Sequence, residues 1–290
     1  MKNTKTIGHI SALLTILIWG TTFISTKILL QDFKAIEILF YRFIIGFIVL
    51  ILIYPKRMKI EDRRQELTFM AADFCGICLY YLLENIALGY TTATNVGIII
   101  SVAPLFTALL THFIDKEKLH PQFFIGFLIA LLGIFLVTFQ GREIEIHPIG
   151  DVLALIAAFT WACYSLLTRK ISTFGYSTIQ STRRIFMYGI VFMIPCILFM
   201  DFTIDIYKFT NITTTFNILF LGVGASALGF VLWNLAVKSL GTLKTSIYIY
   251  LVPVITIITA VVILHESLTL KKMIGIILSL VGLFISNKKN

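Results

Sequence analysis

The sequence predicts an all-α membrane protein: a polytopic bundle of about ten transmembrane helices, built as two five-helix repeats inserted in opposite orientation. Three observations carry this. The composition is too apolar for a chain in water. Apolar runs of spanning length recur from end to end. The second half of the chain also matches the first at nearly fixed offsets.

The 290 residues are 58% hydrophobic and 13% charged, with a mean hydropathy of +0.93. Soluble domains sit near 45–50% apolar and about 25% charged. A chain of this size could not hide so much apolar surface from water, whereas lipid removes the need to hide it. The net charge of +9 lies in short segments between apolar runs, the pattern that sets orientation in a bilayer. No basic and aromatic stretch is long enough to form a nucleic-acid surface.

A hydrocarbon core of about 30 Å needs about 20 residues of helix. Runs that meet this lie near 7–27, 35–54, 67–88, 94–114, 121–140, 148–169, 180–200, 215–237, 243–264 and 270–287. The first is too long for a signal-peptide core and lacks a small-residue cleavage site, so it is expected to be a membrane helix. Pro121 and Pro148 suit the first turn of a helix, where a missing N–H costs nothing. Pro55 marks the end of the second run. The connections are short, so successive helices are expected to be antiparallel neighbours.

With the N-terminus on the cytoplasmic side, fifteen Lys and Arg fall on inside segments and six on outside ones. The other three, Arg42, Arg183 and Arg184, lie within or at the edge of helices. The bias places both termini in the cytoplasm. The segment with Lys271 and Lys272 runs against it.

The internal match is specific. At an offset of 142, Trp19 pairs with Trp161, Lys27 with Arg169 and Arg42 with Arg184. At an offset of 149, Asn85 pairs with Asn234, Pro104 with Pro253 and Glu117 with Glu266, and Gly126 and Gly133 pair with Gly275 and Gly282. A longer loop near 201–214 accounts for the change of offset. The repeats divide at 1–142 and 143–290. Five helices per half is an odd number, so the halves enter the membrane with opposite orientation. Two similar halves about a pseudo-twofold axis supply two states of similar energy, one open to each side, which is what alternating access requires.

The residues that match between the halves also carry a family resemblance. The stretches from Asn85 to Gly133 and from Trp233 to Gly282 each resemble the later part of an EamA domain. The run Ile18-Trp19-Gly20-Thr21-Thr22, with Lys27 further along, resembles its start. Over nearly its whole length the chain is similar to the EamA-type ten-helix members of the drug/metabolite transporter superfamily. The resemblance implies a permease of the inner or plasma membrane, often an exporter of amino acids or related metabolites. One departure is that Trp19 is followed by Gly20 but Trp161 by Ala162.

Polar groups at membrane depth are costly and mark candidate sites. Glu84 is the most informative. Tyr80 and Tyr81 precede it by four and three residues, so both can share its helix face, and Asn85 follows. This carboxylate, with two phenols and an amide, can line a cavity and attract an ammonium group, or form an ion pair with Lys27 or Arg42. Arg42 and Arg184 can hold a carboxylate through a fork of donors, or pair with Glu37 or snorkel. Trp19 and Thr22, and Trp161, Tyr164 and Ser165, head polar stripes that can face a central cavity or simply pack. Tyr250 shares a face with Ser246 and Pro253, while Asn95, Asn234 and Tyr248 add polar groups nearby. Pro104 and Pro253 each free a carbonyl and predict a kink. Glu117 and Glu266 are expected to cap the helices that follow them. Asp73 is expected to reach the cytoplasmic interface or a basic loop residue. Asn85 and Asn234, matched in the repeat, suit a shared role at a helix end.

Other chemistry lacks its motifs. Cys75 and Cys78 form a CxxC with no second ligand pair, which suits packed thiols. There is no P-loop, no HExxH after His265-Glu266, and no GxSxG. No metal or cofactor is expected; the expected partners are a small-molecule substrate and the lipid bilayer. The alternatives are a duplicated scaffold or receptor, which would have a dry interior, and a membrane-embedded enzyme, which would pair titratable groups within hydrogen-bond reach.

Overall fold

The computed structural model describes residues 2–60, 62–91, 93–116, 118–138, 148–200, 202–264 and 269–287. Glu117, Glu266, the side chain of Asn95 and the expected repeat junction at 142–143 lie outside the described residues. Among the described residues the regular structure is helical throughout. The helices are α1 (Lys2–Leu29), α2 (Ala35–Ile53), α3 (Arg63–Tyr90), α4 (Ala93–Ile100), α5 (Ala103–Asp115) and α6 (Pro121–Thr138). They continue as α7 (Pro148–Ser172), α8 (Thr178–Phe199), α9 (Ile212–Leu240), α10 (Thr242–Ser246), α11 (Val252–Leu264) and α12 (Leu270–Asn287).

Seven spans in these helices are long and apolar enough to cross a membrane: α1 from Thr4 onward, α2, α3, α7, α8, α9, and the stretch Thr242–Thr259. Three shorter apolar helices, Ala103–Ile114, Pro121–Leu136 and Met273–Ser286, fall below that length. At a rise of 1.5 Å per residue, the 19 residues of α2 extend about 28 Å, nearly the thickness of the hydrocarbon core.

Local chemistry sets the ends. Pro121 and Pro148 open α6 and α7. Asp62 and Asn211 cap α3 and α9 by accepting from Arg64 N at 2.9 Å and Thr213 N at 2.9 Å. Gly241 alone separates α9 from α10, with φ of 85°, a conformation that a side chain disfavours. The fourth run is interrupted between Ile100 and Ala103, just ahead of Pro104, so that Pro104 lies in the first turn of α5. In the second half a 3₁₀ segment, Ile247–Leu251, precedes Pro253.

Two features were not legible in the sequence. α3 and α9 each contain a widened π-helical stretch, Phe74–Leu79 and Phe220–Leu228. At the repeat offset of 149 the two overlap. Such turns shift the register of the side chains that follow and occur often at functional sites.

The halves interdigitate. α1 of the first half packs on α9 of the second, and α7 of the second packs on α3 of the first. α2 lies against the widened turn of α9, and α8 against that of α3. The most extensive pairing joins α6 to α12. A Cβ on Gly126 would meet the Gly282 carbonyl at 2.6 Å, and one on Gly133 the Gly275 carbonyl at 2.6 Å. The glycines seven apart therefore make a reciprocal seam in which the backbones touch.

Candidate functional site

Helices from both halves bring aromatic side chains to one place. α1 contributes Trp19, α7 contributes Trp161, and α9 contributes Trp233, which are all the tryptophans in the chain. Ring centroids are 5.1 Å apart for Trp19 and Trp161, 5.2 Å for Trp19 and Trp233, and 5.6 Å for Trp161 and Trp233. Phe230 touches Trp19 at 5.4 Å and Phe186 of α8 at 5.3 Å. α3 supplies Tyr80, 4.9 Å from Trp161 and 4.8 Å from Tyr81. Tyr164 lies 5.0 Å from Trp161. The contacts are mostly edge-to-face or tilted, the geometry favoured by ring quadrupoles.

Two charged side chains border this cluster. Arg42 is 1% exposed. Its Nε donates to Ser226 Oγ at 3.1 Å, and its guanidinium carbon lies 4.3 Å from the centroid of the Tyr81 ring. Such a desolvated cation–π contact is worth about 2 kcal/mol. Glu84 is 5% exposed, and its polar neighbours are the Tyr80 hydroxyl and the Arg42 charge. Among the described residues, Arg42 Nη2, Glu84 Oε2, and the indole nitrogens of Trp161 and Trp233 have no hydrogen-bond partner. A buried polar atom left in that condition costs about 1–3 kcal/mol, so four around one cluster mark a place where a polar ligand gains partners.

A side-chain chain adjoins it. Tyr164 donates to Asn234 Oδ1 at 3.0 Å, and Asn234 Nδ2 donates to Thr182 Oγ1 at 3.0 Å. Asn85, the repeat partner of Asn234, donates to the Ala35 carbonyl at the start of α2, at 3.3 Å. Asn85 therefore serves a helix start, whereas Asn234 links two side chains; Asn85 Oδ1 has no partner among the described residues. The hydroxyls of Thr22 and Ser165 are spent on Trp19 O at 2.7 Å and Trp161 O at 3.0 Å in their own helices.

Other candidates lie elsewhere. Lys27 is exposed. Arg184 pairs with Glu66 of α3 and so does not share the cluster with its repeat partner Arg42. Tyr250 packs in a separate core with Phe123 and Phe127 of α6. Glu37 does not pair with Arg42. It accepts from Thr203 Oγ1 at 2.6 Å and Lys208 Nζ at 3.2 Å, tying the segment between α8 and α9 to α2. Asp73 does not reach the interface: it is 0% exposed and both carboxyl oxygens lack partners among the described residues. The widened turn starts at the next residue and holds Asp73 in the interior against Gly189. Tyr248 meets His9 at 2.6 Å. The four cysteines are free thiols, and Cys78 and Cys196 both direct Sγ at the Phe192 carbonyl.

Sequence reasoning did not single out Trp233 or Phe230, and it read Ser226 only as part of a small-residue stretch for close helix packing. A signal for Trp233 existed: it stands at the repeat position of Glu84, beside the matched Asn234. Trp161, Trp233, Arg42 and Glu84 are all buried in this conformer. A cleft of only about 10 Å³ lies beside Asn234, between Thr168, Ser181 and Lys238, room for no more than a water molecule.

Comparison with known proteins agrees with this architecture. The EamA-like transporter family model matches residues 6–139 and again 148–288. An uncharacterized transporter of Archaeoglobus fulgidus is 30% identical over 99% of both chains. The uncharacterized transporter YyaM of Bacillus subtilis is 26% identical, over 92% of this chain and 89% of that one. A protein of Escherichia coli named a probable amino-acid metabolite efflux pump is 24% identical, over 95% of this chain and 93% of its own. A solved crystal structure superposes with a TM-score of 0.80 at 19% identity, covering 99% of this chain and 97% of that one, which speaks to the fold alone.

Proposed function

Since the chain belongs to the EamA-like transporter family, we propose that it is a secondary exporter that moves a small zwitterionic metabolite, an amino acid or close relative, by alternating access. In this reading the three shorter apolar helices also cross the bilayer, giving ten crossings with both termini in the cytoplasm. The repeats are 1–142 and 143–290, and the substrate binds between them.

One observation carries the proposal. Arg42 and Glu84, opposite in charge and buried at one aromatic cluster between the halves, each keep an atom with no partner among the described residues. A scaffold with a dry interior has no use for either, since each charge at membrane depth costs several kcal/mol. A zwitterion supplies the missing partners: its carboxylate suits the guanidinium fork of Arg42, its ammonium suits Glu84, and the rings close over its side chain. The name of the Escherichia coli relative is in line with such a substrate. The buried arrangement then corresponds to an intermediate between the two open states.

The test is efflux of a panel of radiolabelled amino acids from proteoliposomes carrying the purified protein, with and without an imposed pH gradient. Saturable efflux of one class supports the proposal, and its response to the gradient shows whether a proton is coupled. Flux no greater than from empty liposomes for the whole panel would sink the amino-acid assignment.

A further inference from the structure

Between the end of α2 and the start of α8 lies a cavity of about 560 Å³, lined by none of the residues of the aromatic cluster. That volume falls within the range of specific small-molecule sites, about 300–1,000 Å³. Its walls have two characters. Phe47 and Ile51 of α2 and Met187 of α8 make an apolar side. Arg57, Arg183 and Arg184 make a basic rim.

The rim is built into the fold. Arg183 donates to the carbonyls of Tyr54 and, at 2.6 Å, Lys56, and so closes the end of α2. Arg184 is held by Glu66. Arg57 is exposed and adds a third guanidinium. Three guanidinium groups against one carboxylate leave the rim positive. The segment 54–64 strengthens this, with five Lys and Arg against two acids.

The apolar side does not stop at the cavity. From Met187, the residues Val191, Ile194 and Leu198 follow at spacings of four, three and four along α8, which places them on one face, and all three are exposed. From Met187 to Leu198 this track runs about 16 Å, close to half of a hydrocarbon core of about 30 Å. A positive pocket at the end of a membrane helix, continued by an apolar track one leaflet long, matches a lipid with a negative headgroup. A soluble anion would use only the rim, and a choline headgroup would set its own cation against the guanidinium groups.

We propose that this cavity binds one anionic phospholipid. Its phosphate sits against Arg57 and the Arg183–Arg184 pair, and one acyl chain lies along Met187, Val191, Ile194 and Leu198. Basic pockets between membrane helices are the usual setting for anionic headgroups. The site stands independently of the transport proposal.

The experiment is native mass spectrometry of the detergent-purified full chain titrated with phosphatidylglycerol, phosphatidylcholine or glycerol 1-phosphate. The wild type is expected to retain one phosphatidylglycerol and to hold phosphatidylcholine at least about fivefold more weakly. Arg57→Ala should lower phosphatidylglycerol affinity about fivefold and narrow that preference. Val191→Gln should weaken both lipids without changing their ratio. Equal retention of the two lipids by the wild type overturns the proposal, and this comparison needs no variant. Binding of glycerol 1-phosphate as tight as that of phosphatidylglycerol also overturns it, in favour of a soluble-anion site.

Discussion

Trp19 and Trp161 stand 142 residues apart, occupy matching positions in the two halves, and meet edge to face with ring centroids 5.1 Å apart. The contact joins the two halves at the aromatic cluster, and the reciprocal seam of Gly126 with Gly282 and Gly133 with Gly275 joins them a second time.

If the two indoles couple as the geometry indicates, their substitutions are not additive. Trp19→Phe and Trp161→Phe, alone and together, should give a coupling of about 0.5–1.5 kcal/mol in denaturant unfolding. Strict additivity would argue that the contact contributes nothing to stability.

Glu84→Gln keeps the shape of the side chain and removes its charge. Bonds to charged groups are worth about 1.5–3 kcal/mol, so efflux of a zwitterion should fall at least roughly tenfold. Size-exclusion chromatography should show the variant folded. Full activity would leave Glu84 a structural role.

Arg42→Lys retains the charge but loses the fork, the bond to Ser226 and the stacking on Tyr81. The KM for an amino acid should rise about tenfold, while the corresponding amide, which has no carboxylate, should be little affected. An equal loss for acid and amide would make Arg42 a packing residue.

Gly133→Leu and Gly126→Leu each force a side chain into the backbone of α12. Overpacking of this kind costs about 1–3 kcal/mol, so both variants should melt at lower temperature. Gly97→Ala is the control: a Cβ there meets nothing within 4 Å, and the melting temperature should hold or rise. Equal melting of all three would remove the seam from the account of stability.

Much of this molecule was legible in its sequence. Composition and apolar runs declared an all-helical chain, in which seven spans among the described residues are long enough to cross a membrane, and Pro121 and Pro148 marked two starts. Tyr80, Tyr81, Glu84, Trp19, Trp161 and Tyr164 were singled out by type and depth, and the fold brings them together. Tyr250, a cavity candidate, and Lys27 and Arg184, offered as charge partners, lie elsewhere. Asp73 looked interfacial and is buried. Nothing in a linear reading shows that the turn after it widens, since a π-helical stretch depends on what packs against it.

The sequence by itself determined that the chain is helical, apolar along its length and duplicated, because hydropathy and periodicity are local and the repeat is written in the residues. Only the tertiary structure decided which polar groups share one place. Arg42 meets Ser226 across 184 positions, whereas its repeat partner Arg184 finds Glu66 instead. The reason is physical: a buried charge is governed by the nearest groups in space, and those are supplied by other helices.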